Sequence, residues 1–192
     1  MALTTTHQPL VYRALAQTPA MRLTGYLLLA LAGSLLIAIA GQIKVPFYPV
    51  PMTMQTLAVF VIAAAYGLRL GAATVALYLA QGAIGLPVFT GGAGLAYMAG
   101  PTGGFLAGFL VAAIIIGYAV DRGWGANAFK LFAATLLGAV VLMTMGYAWL
   151  SGLIGTEKAW QFGVQPFLLG EFTKVVLASA LIPAATALFA RK

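Results

Sequence analysis

The chain contains no cysteine, one histidine and only three acidic side chains among its 192 residues. Without thiols it can form neither a disulfide frame nor a thiolate metal site. The single histidine, His7, stands in a polar N-terminal stretch, which excludes a metal site or proton relay built on imidazole within the apolar part. Asp121, Glu157 and Glu171 are the only acids, so no motif pairs two carboxylates. No Gly-Lys dipeptide occurs, and with it goes the GxxxxGK[ST] loop that cradles nucleotide phosphates. No serine has a base beside it that would make it a nucleophile. These absences leave no support for an enzyme, and no cofactor is expected.

What remains is apolar. Hydrophobic residues make up 62% of the chain and charged ones 7%, and the mean hydropathy is +1.02. That is too little polar surface to cover a soluble domain, so the chain is a polytopic all-α membrane protein embedded in the lipid bilayer. A net charge of +7 could suggest nucleic acid. The basic residues are instead spread singly between apolar segments, which makes them topology determinants and excludes a nucleic-acid partner.

Residues 1–20 mix Thr, Gln, Pro and Arg and are expected to be a cytoplasmic tail rather than a signal peptide. Residues 21–192 are expected to form one six-helix transmembrane substrate-binding domain. The first span, 21–41, is long enough to cross a hydrocarbon core of about 30 Å. Ala30, Ser34 and Ala38 recur there every four residues, a small-residue stripe that suits close helix approach, either within the chain or to another subunit. Pro46, Pro49 and Pro51 then forbid a helix. The apolar Val45, Phe47, Tyr48 and Val50 between them could close over a cavity as a lid, or rest in the lipid interface. Spans at 52–66 and 71–85 are separated only by Gly67-Leu68-Arg69-Leu70, so they form an antiparallel hairpin. Gln55 and Gln81 would then share one membrane level, where their amides need partners from neighbouring helices or from a ligand.

A glycine-rich loop over 85–100 follows, with glycines that allow backbone to approach a ligand or a helix. The remaining spans are placed at 105–120, 131–150 and from Pro166 onward. Arg13, Arg22, Arg69, Arg122, Lys130, Arg191 and Lys192 then fall on one side, and only Lys44 and Lys158 on the other. This is the positive-inside signature of six spans with both termini cytoplasmic.

The last span carries Glu171 and Lys174. An ionised group at the centre of a membrane helix costs about 2.5–3.5 kcal/mol on insertion scales, so two of them need a reason. Three residues apart they share a helix face and can neutralise each other. They also offer carboxylate acceptors beside ammonium donors, as a neutral ligand with both N–H and C=O groups would require. The topology brings this pair to the outer side with the proline-rich and glycine-rich loops. Together these predict an apolar, lidded pocket with one polar end, suited to capturing a small and largely apolar molecule.

Two stretches are specific. Val45-Pro-Phe-Tyr-Pro-Val-Pro-Met-Thr-Met-Gln-Thr-Leu-Ala-Val, and Gly82-Ala-Ile-Gly-Leu-Pro-Val-Phe-Thr-Gly-Gly with Gly100-Pro-Thr-Gly-Gly-Phe-Leu-Ala-Gly-Phe, closely resemble the BioY family. These are the biotin-specific subunits (S components) of energy-coupling factor transporters. The resemblance runs from about Met21 to the C-terminus. It implies high-affinity capture of biotin from outside and uptake together with a transmembrane coupling subunit (T component) and two ABC-type ATPases, which alone use ATP. It implies the cell membrane, the inner one where there are two, of a bacterium or archaeon. It also implies that Glu171 and Lys174 contact the ureido ring, with Glu where some members have Asp, and makes Thr90 and Tyr97 loop candidates. The family's alanine spacing for docking the coupling subunit is matched by Ala30 and Ala38 with Ser34 between them. The competing reading is a self-sufficient carrier for biotin or another small vitamin.

Overall fold

The computed structural model describes Pro9, residues 19–46 and residues 52–190. Helix α1 runs Pro19–Gln42, α2 Gln55–Ala83, α3 Gly94–Met98, α4 Gly103–Asp121, α5 Ala128–Ile154, α6 Thr156–Ala159 and α7 Leu168–Ala190. Strands β1 (Lys44–Val45) and β2 (Met52–Thr53) pair antiparallel between α1 and α2.

Among the described residues five helical stretches are long and apolar enough to cross a membrane, and one of them is folded in two. Within α2 only Gly67 leaves helical geometry, at φ 74° and ψ −172°, a backbone region that glycine enters without steric penalty. The reversal is evident from Gln55 and Tyr78, whose side chains hydrogen-bond at 2.6 Å although 23 residues separate them. Along a straight helix that separation would span about 35 Å. The chain is therefore a six-helix membrane bundle, and its second and third spans meet at a tighter turn than four residues.

Helix α4 packs on both α2 and α5, while α1 packs chiefly on α2. Glycines decide how close these helices come. A Cβ at Gly108 would lie 2.9 Å from Leu142 Cα on α5, and one at Gly117 only 2.6 Å from Leu68 Cα and 2.7 Å from Gly67 C. Asp121 secures the same corner by accepting a hydrogen bond from the Leu68 backbone N–H at 3.3 Å. Because the atoms facing Gly117 are backbone and have little freedom to yield, Gly117→Ala is expected to cost about 1–3 kcal/mol through overpacking. Thermal unfolding in detergent checks this: a melting temperature equal to the parent's would contradict the contact.

The small-residue stripe on α1 faces inward. Ala30, Ser34 and Ala38 are 9%, 1% and 8% exposed, so they pack inside this chain. Small side chains let α1 lie close to the α2 hairpin, and the face turned outward carries Leu23, Leu27, Leu31 and Leu35 instead. Between the spans placed at 131–150 and from Pro166 onward the chain is not plain loop: residues 156–167 are helical turns, including a π-helical turn over Trp160–Val164.

Candidate functional site

Along α7, Glu171, Lys174, Val175, Ala178, Ser179 and Ile182 are buried, the alternating three-and-one spacing of a helix face turned to the bundle. The two charged residues sit at the N-terminal end of that face, at 7% and 4% exposure. Lys174 Nζ donates to Glu171 Oε1 at 2.5 Å. A third residue joins them from the first turn of α2. Thr56 Oγ1 donates to Glu171 Oε1 at 2.8 Å and accepts from Lys174 Nζ at 2.8 Å. Mutual neutralisation and these hydrogen bonds make the charges tolerable at this depth. One atom is left over: Glu171 Oε2 is buried and has no hydrogen-bond partner among the described residues.

The triad lines a cavity of about 440 Å³ whose walls include Gln55, Thr90, Tyr97, Glu171 and Lys174 together with Thr53 and Thr56. Phe105, Leu106 and Phe109 of α4 and Leu142 and Leu150 of α5 supply much of the apolar wall. Gly104 keeps that wall compact, since a Cβ there would fall 2.3 Å from Trp149 Cβ. The result is a cleft of the size and composition that small-molecule sites favour: a broad apolar lining and a few fixed polar groups.

The loop between α2 and α3 is held by its own contacts. Phe89 fills the space left by Gly82, where a Cβ would lie 1.9 Å from its ring. It stacks on Tyr97 at 5.3 Å and meets Tyr78 edge-on at 5.5 Å. Tyr97 donates to the Thr90 carbonyl at 2.9 Å, and Thr90 donates to the Gly41 carbonyl at 3.0 Å. Thr90 and Tyr97 thus line the cavity with their hydroxyl protons already committed to backbone, leaving lone pairs as their contribution. Gln55 is similarly engaged, donating to the Tyr78 hydroxyl. Gln81 is half-buried and takes no place in the cavity wall.

Of the lid residues, Val45 lies in β1 opposite Met52, while Phe47 and Tyr48 fall outside the described residues. The strand pair is rooted at the site: Met52 occupies the notch at Gly170, where a Cβ would meet its sulfur at 2.3 Å, and Thr53 lines the cavity. Thr56 and Met52 are the residues that sequence reasoning missed. Each acts through a contact to α7 more than a hundred positions away in the chain, and the only local sign was a polar Gln-Thr pair at the head of an apolar span.

These features define a polytopic membrane protein with a largely apolar cleft that carries a few polar groups, of a size that suits a small molecule. The BioY family profile matches residues 13–191. The chain is 35% identical over 139 residues to the "Probable biotin transporter BioY" of Pyrococcus horikoshii, covering 71% of this chain and 81% of that protein. It is 37% identical over 148 residues to the "Biotin transporter BioY" of Rhizobium etli, covering 72% and 79%. Its fold is similar to the crystal structure of the S-component for biotin from an ECF-type ABC transporter, with a TM-score of 0.75, 26% identity and coverage of 90% and 95%. The chain belongs to the BioY family.

Proposed function

We propose that the chain captures biotin and serves biotin uptake as the substrate-specific subunit of an energy-coupling factor transporter. Its relatives carry transporter names, and the role is that of a transporter component, not an enzyme. The observation that carries the reading is the buried Glu171–Lys174 pair lining a largely apolar cavity. Biotin matches that asymmetry, with a ureido group presenting N–H and C=O, an apolar sulfur ring and a flexible aliphatic acid. Glu171 accepts from a ureido N–H, and Lys174 donates to the ureido oxygen. The reverse pose, with the ligand's carboxylate on Lys174, would set it against the Glu171 carboxylate and is disfavoured.

The bias of basic residues to one side of the predicted spans supports a topology with both termini in the cytoplasm and the cavity toward the outside. The membrane is the cell membrane, the inner one where there are two. The strand pair β1–β2, rooted beside Glu171 through Met52, belongs to the lid. Delivery inward depends on a transmembrane coupling subunit and two ABC-type ATPases. Calorimetric titration of the detergent-purified chain with biotin, thiamine and riboflavin, without ATP, tests the capture step. Saturable one-to-one binding of biotin alone is expected, and preference for either other vitamin would overturn the assignment.

A further inference from the structure

The hydroxyl of Thr56 makes, within the protein, the same two kinds of bond that a ureido group would make: it donates to a carboxylate oxygen and accepts from an ammonium. A hydroxyl in that position could either compete with the ligand or position the groups that receive it. The hydrogen-bond inventory separates these cases. Glu171 Oε1 already takes both Lys174 and Thr56, whereas Oε2 takes nothing. Lys174 has three N–H donors, of which Glu171 Oε1 and Thr56 Oγ1 occupy two. The hydrogen-bonding capacity left in the triad is thus one carboxylate acceptor, the buried Oε2, and one ammonium donor, the complement of a ligand edge with one N–H and one C=O.

We infer that Thr56 is a positioning residue that sets the specificity of this site for a cyclic amide or ureide edge, by holding Glu171 Oε1 and one Lys174 N–H and so fixing which acceptor and donor stay available. The inference rests on the biotin reading above and deepens it. Its position gives it leverage. Thr56 lies three residues after Thr53 of β2, and Met52 of the same strand fills the notch at Gly170, next to Glu171. The lid strand and the charged pair are thus tied together through one turn of helix. Without the hydroxyl the ammonium and carboxylate would still pair, but their remaining bonding directions would no longer be set.

The test compares Thr56→Val, which keeps the shape and removes the hydroxyl, with Thr56→Ser, which keeps it. Both are titrated with biotin, with 2-iminobiotin, altered only at the ureido carbonyl, and with biotin amide, altered only at the tail. Thr56→Val is expected to bind biotin about tenfold or more weakly, as for loss of hydrogen bonds to charged groups. The same variant should narrow the gap between biotin and 2-iminobiotin while leaving the ratio of biotin to biotin amide unchanged. Thr56→Ser should behave as the parent does. Equal weakening toward all three ligands would reduce Thr56 to a packing role and overturn the inference, as would unchanged biotin affinity in Thr56→Val. If the parent itself fails to bind biotin, the capture reading falls, and this inference with it.

Discussion

Replacing Lys174 by alanine is expected to weaken biotin binding about a hundredfold or more, and Glu171→Ala by a similar factor. On the proposed pose each substitution removes a ligand contact, and it strands its partner as an uncompensated buried charge. Breaking a buried pair in this way costs about 3–5 kcal/mol, and each 1.4 kcal/mol is a factor of about ten in affinity. Part of that cost falls on the empty protein, because Lys174 and Glu171 also satisfy each other before ligand arrives. Each single variant should therefore also melt earlier than the parent. The neutral pair Glu171→Gln with Lys174→Met separates the two effects. It should recover much of the lost melting temperature, since no charge remains stranded, yet still bind biotin poorly. Calorimetry and thermal unfolding on the same preparations check both halves. Parent-like biotin affinity in the two single variants would remove Glu171 and Lys174 from the site.

Reconstituted alone in liposomes, the chain is expected to bind biotin but not to concentrate it. Accumulation against a gradient needs an energy source, and the sequence has no nucleotide loop. Ion-driven carriage would need a titratable or ion-coordinating group free to change partners. Among the described residues no three His, Cys, Asp or Glu gather into a possible metal site. Glu171 is engaged through Oε1 with Lys174 and Thr56, and Asp121 with the Leu68 backbone. Adding the coupling subunit, the two ATPases and ATP should turn stoichiometric binding into sustained uptake, a change from no accumulation to many turnovers. Radiolabelled biotin inside vesicles measures it. Accumulation by this chain alone under a proton or sodium gradient would favour the self-sufficient carrier.

The parts of the fold legible in the sequence were those with a local cause. Runs of apolar residues bounded by Arg69, Arg122 and Lys130 marked the spans, and the short Gly67–Leu70 break required a hairpin. Glu171 and Lys174 stood out because charge is expensive in a membrane helix. What depended on partners distant in sequence was less visible. The Ala30, Ser34, Ala38 spacing announces close packing but does not say against what, and the structure turns it inward to the α2 hairpin. Thr56 resembled any threonine near a helix start, because its partners lie 115 and 118 positions later. Gln55 and Gln81 looked equivalent by level, yet only Gln55 faces the cavity. Helical rotation separates them, and neither span is long or regular enough in its polarity to reveal which side is inward.

The central claim is that the Glu171–Lys174 pair receives the ureido group of biotin. A structure of the chain with biotin bound tests it most directly. The account predicts a ureido N–H on Glu171, the ureido oxygen on Lys174, Thr56 still bonded to both residues, and the aliphatic acid directed away from the pair. Biotin held with its carboxylate on Lys174, or lying outside the cavity bounded by α2, α4, α5 and α7, would contradict it.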